Sequence, residues 1–145
     1  MNEALARELF NSDVSTISDS LMAMRGWKLY VREFPVLDIG FQAADRRELR
    51  IKFLAPNWNE TPPSVQLLKA DGQFAAGPDL PQFQGTPFNA GNHPNTSRPF
   101  VCMAGSLEYH TYSGHVGDVW ENYKNKAAYT LGGIMTQLWD AWQKG

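Results

Sequence analysis

Cysteine is nearly absent from this 145-residue sequence: the single one, Cys102, excludes an internal disulfide and a zinc site built on cysteines. It leaves either a small buried hydrophobe or a nucleophile. Long apolar runs are missing as well, and no stretch approaches the ~18 residues a membrane-spanning helix needs. The opening Met1-Asn2-Glu3-Ala4 has no basic segment followed by an apolar one, so the expectation is a cytoplasmic protein with neither a secretory leader nor a membrane partner. Neither sign of charge dominates: 13 Lys and Arg face 15 Asp and Glu, a net charge of -2. That balance provides no field for binding nucleic acid phosphates.

What is present is an apolar content of 43%, enough for one domain spanning residues 1–145 with a true core. Val14, Ile17, Leu21 and Met24 recur at helical spacing after a capping Ser12 or Asp13, ahead of Gly26, and Leu5 and Leu9 add a turn or two before them. From Trp27 the period becomes two. Leu29 and Val31, then Leu37, Ile39 and Phe41, then Leu49, Ile51 and Phe53 predict three antiparallel strands with one wet face. Pro35 and the polar Ala44-Asp45-Arg46-Arg47 stretch mark the turns. Ser64 to Leu68 reads as a fourth strand, after Pro56 and Pro62-Pro63, which cannot donate to a ladder. Residues 69–92, punctuated by Gly72, Gly77, Pro78, Pro81, Gly85, Pro87 and Gly91, read as a long surface loop, a binding lid or plain disorder. A short helix is expected near Asp118 to Lys124. Leu131, Ile134, Met135, Leu138 and Trp142 form the apolar stripe of a closing helix. The expected class is α+β: an N-terminal helix, a four-stranded antiparallel meander and C-terminal helices. Trp58, Trp120, Trp139 and Trp142 are expected in the core rather than as ligand platforms.

Cys102 follows His93-Pro94-Asn95 and Thr96-Ser97-Arg98-Pro99, a polar stretch that reads as irregular backbone, where reactive groups favour lying. Upstream, a strand runs into Ala55-Pro56-Asn57-Trp58 and then Pro62-Pro63-Ser64-Val65 before the next strand. This order of strand, proline-aromatic linker, strand, His-Pro-Asn and cysteine resembles the ubiquitin-conjugating enzyme family. The resemblance spans roughly residues 29–142. Compared with the family, Cys102 lies one position closer to Asn95, the 69–92 segment is an unusual insertion, and the first helix lacks a basic face. Such divergent versions resemble the bacterial relatives found in anti-phage operons.

The resemblance implies a UBC-like fold and a thioester formed between Cys102 and the C-terminal carboxyl of a protein partner. That partner would be a ubiquitin-like protein or a cGAS-like nucleotidyltransferase, activated by an adenylating enzyme. It implies no cofactor. Asn95 would stabilise the oxyanion or brace the loop, while the residues alone equally allow an Asx turn. His93 and Pro94 would be architectural. A free cysteine titrates near ~8.5, and thioester exchange does not require a strongly lowered value. Beyond Cys102, His110 and His115 lie with Tyr109 and Tyr112 in one polar segment. Either histidine, or Asp118, is a candidate to deprotonate an incoming amine; the other reading is a solvent-facing stretch. His93, His110 and His115 are enough ligands for zinc, but their spacing matches no short ligand motif. Two further classes stand beside the carrier: an inactive UBC-like module binding a ubiquitin-like partner, and a cysteine hydrolase using Cys102 with His110 or His115.

Overall fold

The computed structural model describes residues 1–145. Helix α1, Glu3–Ser15, starts where the Asn2 side chain accepts the Leu5 N–H at 3.2 Å. It stops at Thr16, whose hydroxyl turns back to the Asp13 carbonyl at 2.7 Å. Ser18 then caps a second helix, α2, Asp19–Arg25, by accepting the Leu21 N–H at 3.0 Å. The single helix expected from Ser12 or Asp13 to Met24 is therefore two. The hydroxyls of Thr16 and Ser18 bond to nearby backbone, which competes with continued helix. The apolar stripe divides with it: Val14, Ile17 and Met22 are buried, while Met24 is 78% exposed. Gly26 ends α2 at φ +71°, where a Cβ would stand 2.9 Å from the Gln42 carbonyl oxygen.

Four antiparallel strands follow in sequence order: β1 (Trp27–Glu33), β2 (Val36–Ala43), β3 (Arg46–Leu54) and β4 (Ser64–Leu68). Their inner face carries the row Leu29, Ile39, Ile51 and Leu67, each directly opposite the next. A register shift between Leu29 and Val31 turns Val31 out to solvent, against the alternation expected there. The closing helix forms as expected. It is α4, Leu131–Lys144, and Leu131, Ile134, Met135, Leu138 and Trp142 are all buried in the shared core. Trp142 lies 5.7 Å from Phe41, and Trp139 packs edge-on against Trp27 at 5.9 Å. Burying a side chain of this size contributes about 1.5–3 kcal/mol. The Asp13 carboxylate accepts the Leu131 N–H at 3.0 Å, joining α1 to the start of α4, and burial pushes that carboxyl above its ordinary value.

Residues 69–92 differ from the structureless loop expected. The Ala75 N–H donates to the Leu67 carbonyl at 2.9 Å, extending the edge of β4, and Ala75 and Leu80 enter the core. A 3-10 turn forms at Gly77–Asp79, and β5, Phe88–Asn92, pairs with β6, Pro99–Val101. Tertiary packing, which periodicity does not register, orders this stretch. A one-turn helix α3, Leu107–His110, precedes 3-10 turns at Trp120–Asn122 and Ala127–Tyr129. The first of these stands where a short helix over Asp118–Lys124 was expected. No helix is long and apolar enough to cross a membrane.

The outer sheet face is less wet than expected, because Asp38 is only 2% exposed. Its carboxylate accepts two bonds from Arg50, at 3.2 and 2.6 Å, and the guanidinium lies 3.8 Å from the Tyr30 ring centre. Asp38→Asn would leave this largely covered guanidinium without its counter-charge. We expect a loss of about 3 kcal/mol in urea unfolding. A loss below about 1 kcal/mol would mean that the pair behaves as an exposed surface bridge.

Candidate thiol site

Cys102 follows directly after β6, and its N–H donates to the Pro87 carbonyl at 2.7 Å, fastening it to the chain that enters β5. The hairpin turn lies at the other end of β6. There the His93 N–H donates to the Arg98 carbonyl at 2.9 Å, and the Ser97 N–H returns to the His93 carbonyl at 2.8 Å. His93 is 1% exposed. Its Nε2–H donates to the Glu108 carbonyl at 2.9 Å, and its Nδ1 accepts the Asn95 N–H at 3.1 Å. A carbonyl can only accept and an amide can only donate, so these partners determine the tautomer. Pro94 and Asn95 are exposed in the turn. With β6 between them, the Asn95 turn and Cys102 are separated by about 10 Å of strand rise.

After Cys102 the chain passes Gly105, at φ +104°, where a Cβ would come within 3.2 Å of Ile134. Ser106 caps α3 by accepting the Tyr109 N–H at 3.1 Å while donating to the Val101 carbonyl at 2.7 Å. Glu108 is buried and reaches the edge of β4. It accepts the Val65 N–H at 2.8 Å and the Ser64 hydroxyl at 2.6 Å. This carboxylate caps a strand edge that would otherwise end unpaired. The Leu107 N–H donates to the Pro63 carbonyl at 2.9 Å, so the proline linker is where α3 docks.

The candidate residues past Cys102 separate into distinct positions. His110 accepts the Gly105 N–H at Nε2, 3.1 Å, and donates from Nδ1–H to the Asp118 carbonyl, 2.7 Å. Both of its ring nitrogens are engaged with backbone. His115 is the imidazole brought to the sulfur, its Nε2 lying 3.6 Å from Cys102 Sγ. Its ring stacks on Tyr109, with centres 4.3 Å apart and planes 17° apart. The Asp118 carboxylate makes no hydrogen bond or ion pair with the sulfur or with His115. It accepts the Tyr109 hydroxyl at 2.5 Å and the Tyr123 hydroxyl at 2.8 Å. Those two bonds, Tyr109's first, hold the Asp118 carboxyl below the usual carboxylate range, and the same bond pushes the Tyr109 hydroxyl up to about 12. Such a carboxylate is a weak base and a strong anchor. The roles of Tyr109, Tyr123 and Glu108 were not readable in the sequence. The only signal was the density of tyrosines and histidines between Glu108 and His115.

Cys102 is half-buried, and burial pushes its thiol up from the ordinary value. On one side lies a groove of about 390 Å³. Phe83, Thr86 and Pro87 form one wall, Gln137, Asp140 and Lys144 of α4 the other, and Cys102 and Met103 lie within it. His93, His110 and His115 do not converge, and no group of three or more His, Cys, Asp or Glu side chains is arranged to hold a metal ion. No protein-family model matches the chain, and no curated protein matches it in sequence.

The raised thiol has a defined pH signature. The neutral form is favoured by burial, so thiolate absorbance should develop only above the range of a free cysteine. Cys102→Ala should remove that absorbance. A midpoint near neutrality would instead identify a resting thiolate-imidazolium pair.

Proposed function

We propose that this chain is an acyl carrier of the ubiquitin-conjugating-enzyme-like kind. In this reading Cys102 forms a thioester with the C-terminal carboxyl of a protein partner and passes it to an amine or another acceptor. The observation that carries the reading is the sulfur itself: half-buried, 3.6 Å from an imidazole nitrogen, in a groove open along α4. The α+β layout supports it, with an N-terminal helix, a four-stranded antiparallel sheet, a His-Pro-Asn turn ahead of the cysteine and a C-terminal helix. The resemblance in sequence order names the partner as a ubiquitin-like protein or a cGAS-like nucleotidyltransferase, and the setting as bacterial anti-phage defence.

The chemistry follows from a thiol that rests protonated. His115 Nε2 takes the thiol proton as Sγ attacks the carbonyl of the partner's acyl-adenylate, the acyl–phosphate bond breaks, and AMP leaves as the thioester forms. An amine then attacks the thioester, and the thiolate departs and recovers a proton. Transfer runs downhill because a thiolate is a far better leaving group than an amine. Asn95 is separated from the sulfur by β6, so the oxyanion role depends on movement of the turn once a partner is bound.

A cysteine hydrolase is the second reading, favoured by the same Cys102–His115 contact. Against it, Asp118 is occupied by Tyr109 and Tyr123, and the structure gives His115 no orienting carboxylate.

Incubation with ATP, an adenylating enzyme and a ubiquitin-like protein should yield a reductant-sensitive adduct on a non-reducing gel. Cys102→Ala should abolish it, and His115→Ala should slow loading by about a hundredfold. With an activated ester and no partner, the carrier should accept one acyl group per chain and stop. Sustained ester turnover would instead establish the hydrolase, and absence of any adduct would favour a binding module.

A further inference from the structure

We propose that Tyr109 is a positioning residue, the platform that holds His115 against Cys102, with Asp118 as its anchor. This rests on Cys102 and His115 being a reacting pair and is independent of which acyl donor they serve.

His115 sits in a run of successive turns rather than in regular structure. The Tyr112 N–H bonds to the Tyr109 carbonyl, the His115 N–H to Tyr112 and the Asp118 N–H to His115, at 3.2, 2.9 and 2.9 Å. Val116 next to it is 61% exposed, and Gly117 has no neighbour within 4 Å of where a Cβ would be. The Tyr112 ring also stands near the imidazole, 5.8 Å between centres but tilted by 37°. The contact that defines its plane is the parallel Tyr109 ring at 4.3 Å.

Tyr109 is itself fixed at both ends. Its N–H is held by the Ser106 side chain, and its hydroxyl by Asp118. Asp118 lies three positions beyond His115 on the same run of turns. The hydroxyl bond therefore ties the segment carrying the imidazole back onto the ring that supports it. Tyr123 braces Asp118 from the other side, at 2.8 Å from both carboxylate oxygens. The loop closes through Tyr109, Asp118 and His115, and its product is the 3.6 Å gap to the sulfur. An imidazole displaced by about an ångström would lose most of its value as a base.

The test is acetylation of Cys102 in the full chain by p-nitrophenyl acetate, followed by nitrophenolate release across the pH range. In this step Sγ attacks the acetyl carbon, His115 takes the thiol proton, and nitrophenolate leaves as the thioester forms. The wild-type rate should rise with pH through an inflection that belongs to the Cys102–His115 pair. His115→Gln should erase the inflection and slow acetylation at neutral pH by about tenfold or more. Tyr109→Leu should do the same, and the double variant should be no slower than either single one, because both remove one interaction. Tyr109→Phe, which keeps the ring, should restore the inflection in part.

A Tyr109→Leu chain with the wild-type profile, or losses that multiply in the double variant, would overturn the proposal. If thermal melts show that Tyr109→Leu does not fold, the double variant Tyr109→Phe with Tyr123→Phe decides. It frees Asp118 and keeps both rings, so a weakened inflection supports the proposal and wild-type kinetics overturn it. A wild-type profile in His115→Gln would remove the reacting pair and with it both this inference and the base in the carrier chemistry. The expected pattern without any protein adduct would remove the carrier alone.

Discussion

Two hydrogen bonds to one imidazole shape the segment on which the thiol site depends. His110 accepts from the Gly105 N–H and donates to the Asp118 carbonyl, closing a stretch of chain that contains His115 but neither a strand nor a helix of more than one turn. Closing such a loop costs a few kcal/mol of chain entropy, which the bonds and the packing around the ring must offset. His93 does the same upstream, joining the Glu108 carbonyl to the turn of the β5–β6 hairpin. Each imidazole supplies one donor and one acceptor where no ladder exists to satisfy the backbone. A buried backbone group left unpaired costs about 1–3 kcal/mol, so this arrangement resists rearrangement. With two histidines committed to the backbone, the third is the one that meets the sulfur.

The electrostatics around that contact separate two groups a single glance would pair. Burial keeps the thiol protonated, whereas two tyrosine hydroxyls keep the Asp118 carboxyl ionised. A protonated thiol needs a base at the moment of attack, and His115 is the group within reach. Asp118 contributes through hydrogen bonds to tyrosines rather than by accepting the reaction's proton. Charge and chemistry therefore occupy different residues, connected by the Tyr109 ring.

Periodicity revealed the parts of the fold that bury a continuous face. Leu37, Ile39 and Phe41 alternate because β2 lies between two neighbours over the core, and the α4 stripe repeats because that helix has one buried side. The break between α1 and α2 was hidden by apolar spacing that carries through Ile17, while the hydroxyls of Thr16 and Ser18 decided the outcome locally. The β5–β6 hairpin was hidden for the opposite reason: Phe88-Asn89-Ala90-Gly91-Asn92 has little strand character and is held by its partners. At the site, Cys102 and His115 stood out as residue types with chemistry. Tyr109 and Glu108 did not, since each acts only through a contact made across the fold.

The tautomers of the three histidines provide the most direct examination of the pairing between Cys102 and His115. Long-range nitrogen-proton NMR of the imidazoles reads all three in one spectrum. His93 protonated at Nε2 and His110 at Nδ1 serve as internal references set by their backbone partners. His115 should be protonated at Nδ1, with an Nε2 resonance that shifts when Cys102 is replaced by Ala. Protonation at Nε2, indifferent to loss of the sulfur, would contradict that pairing.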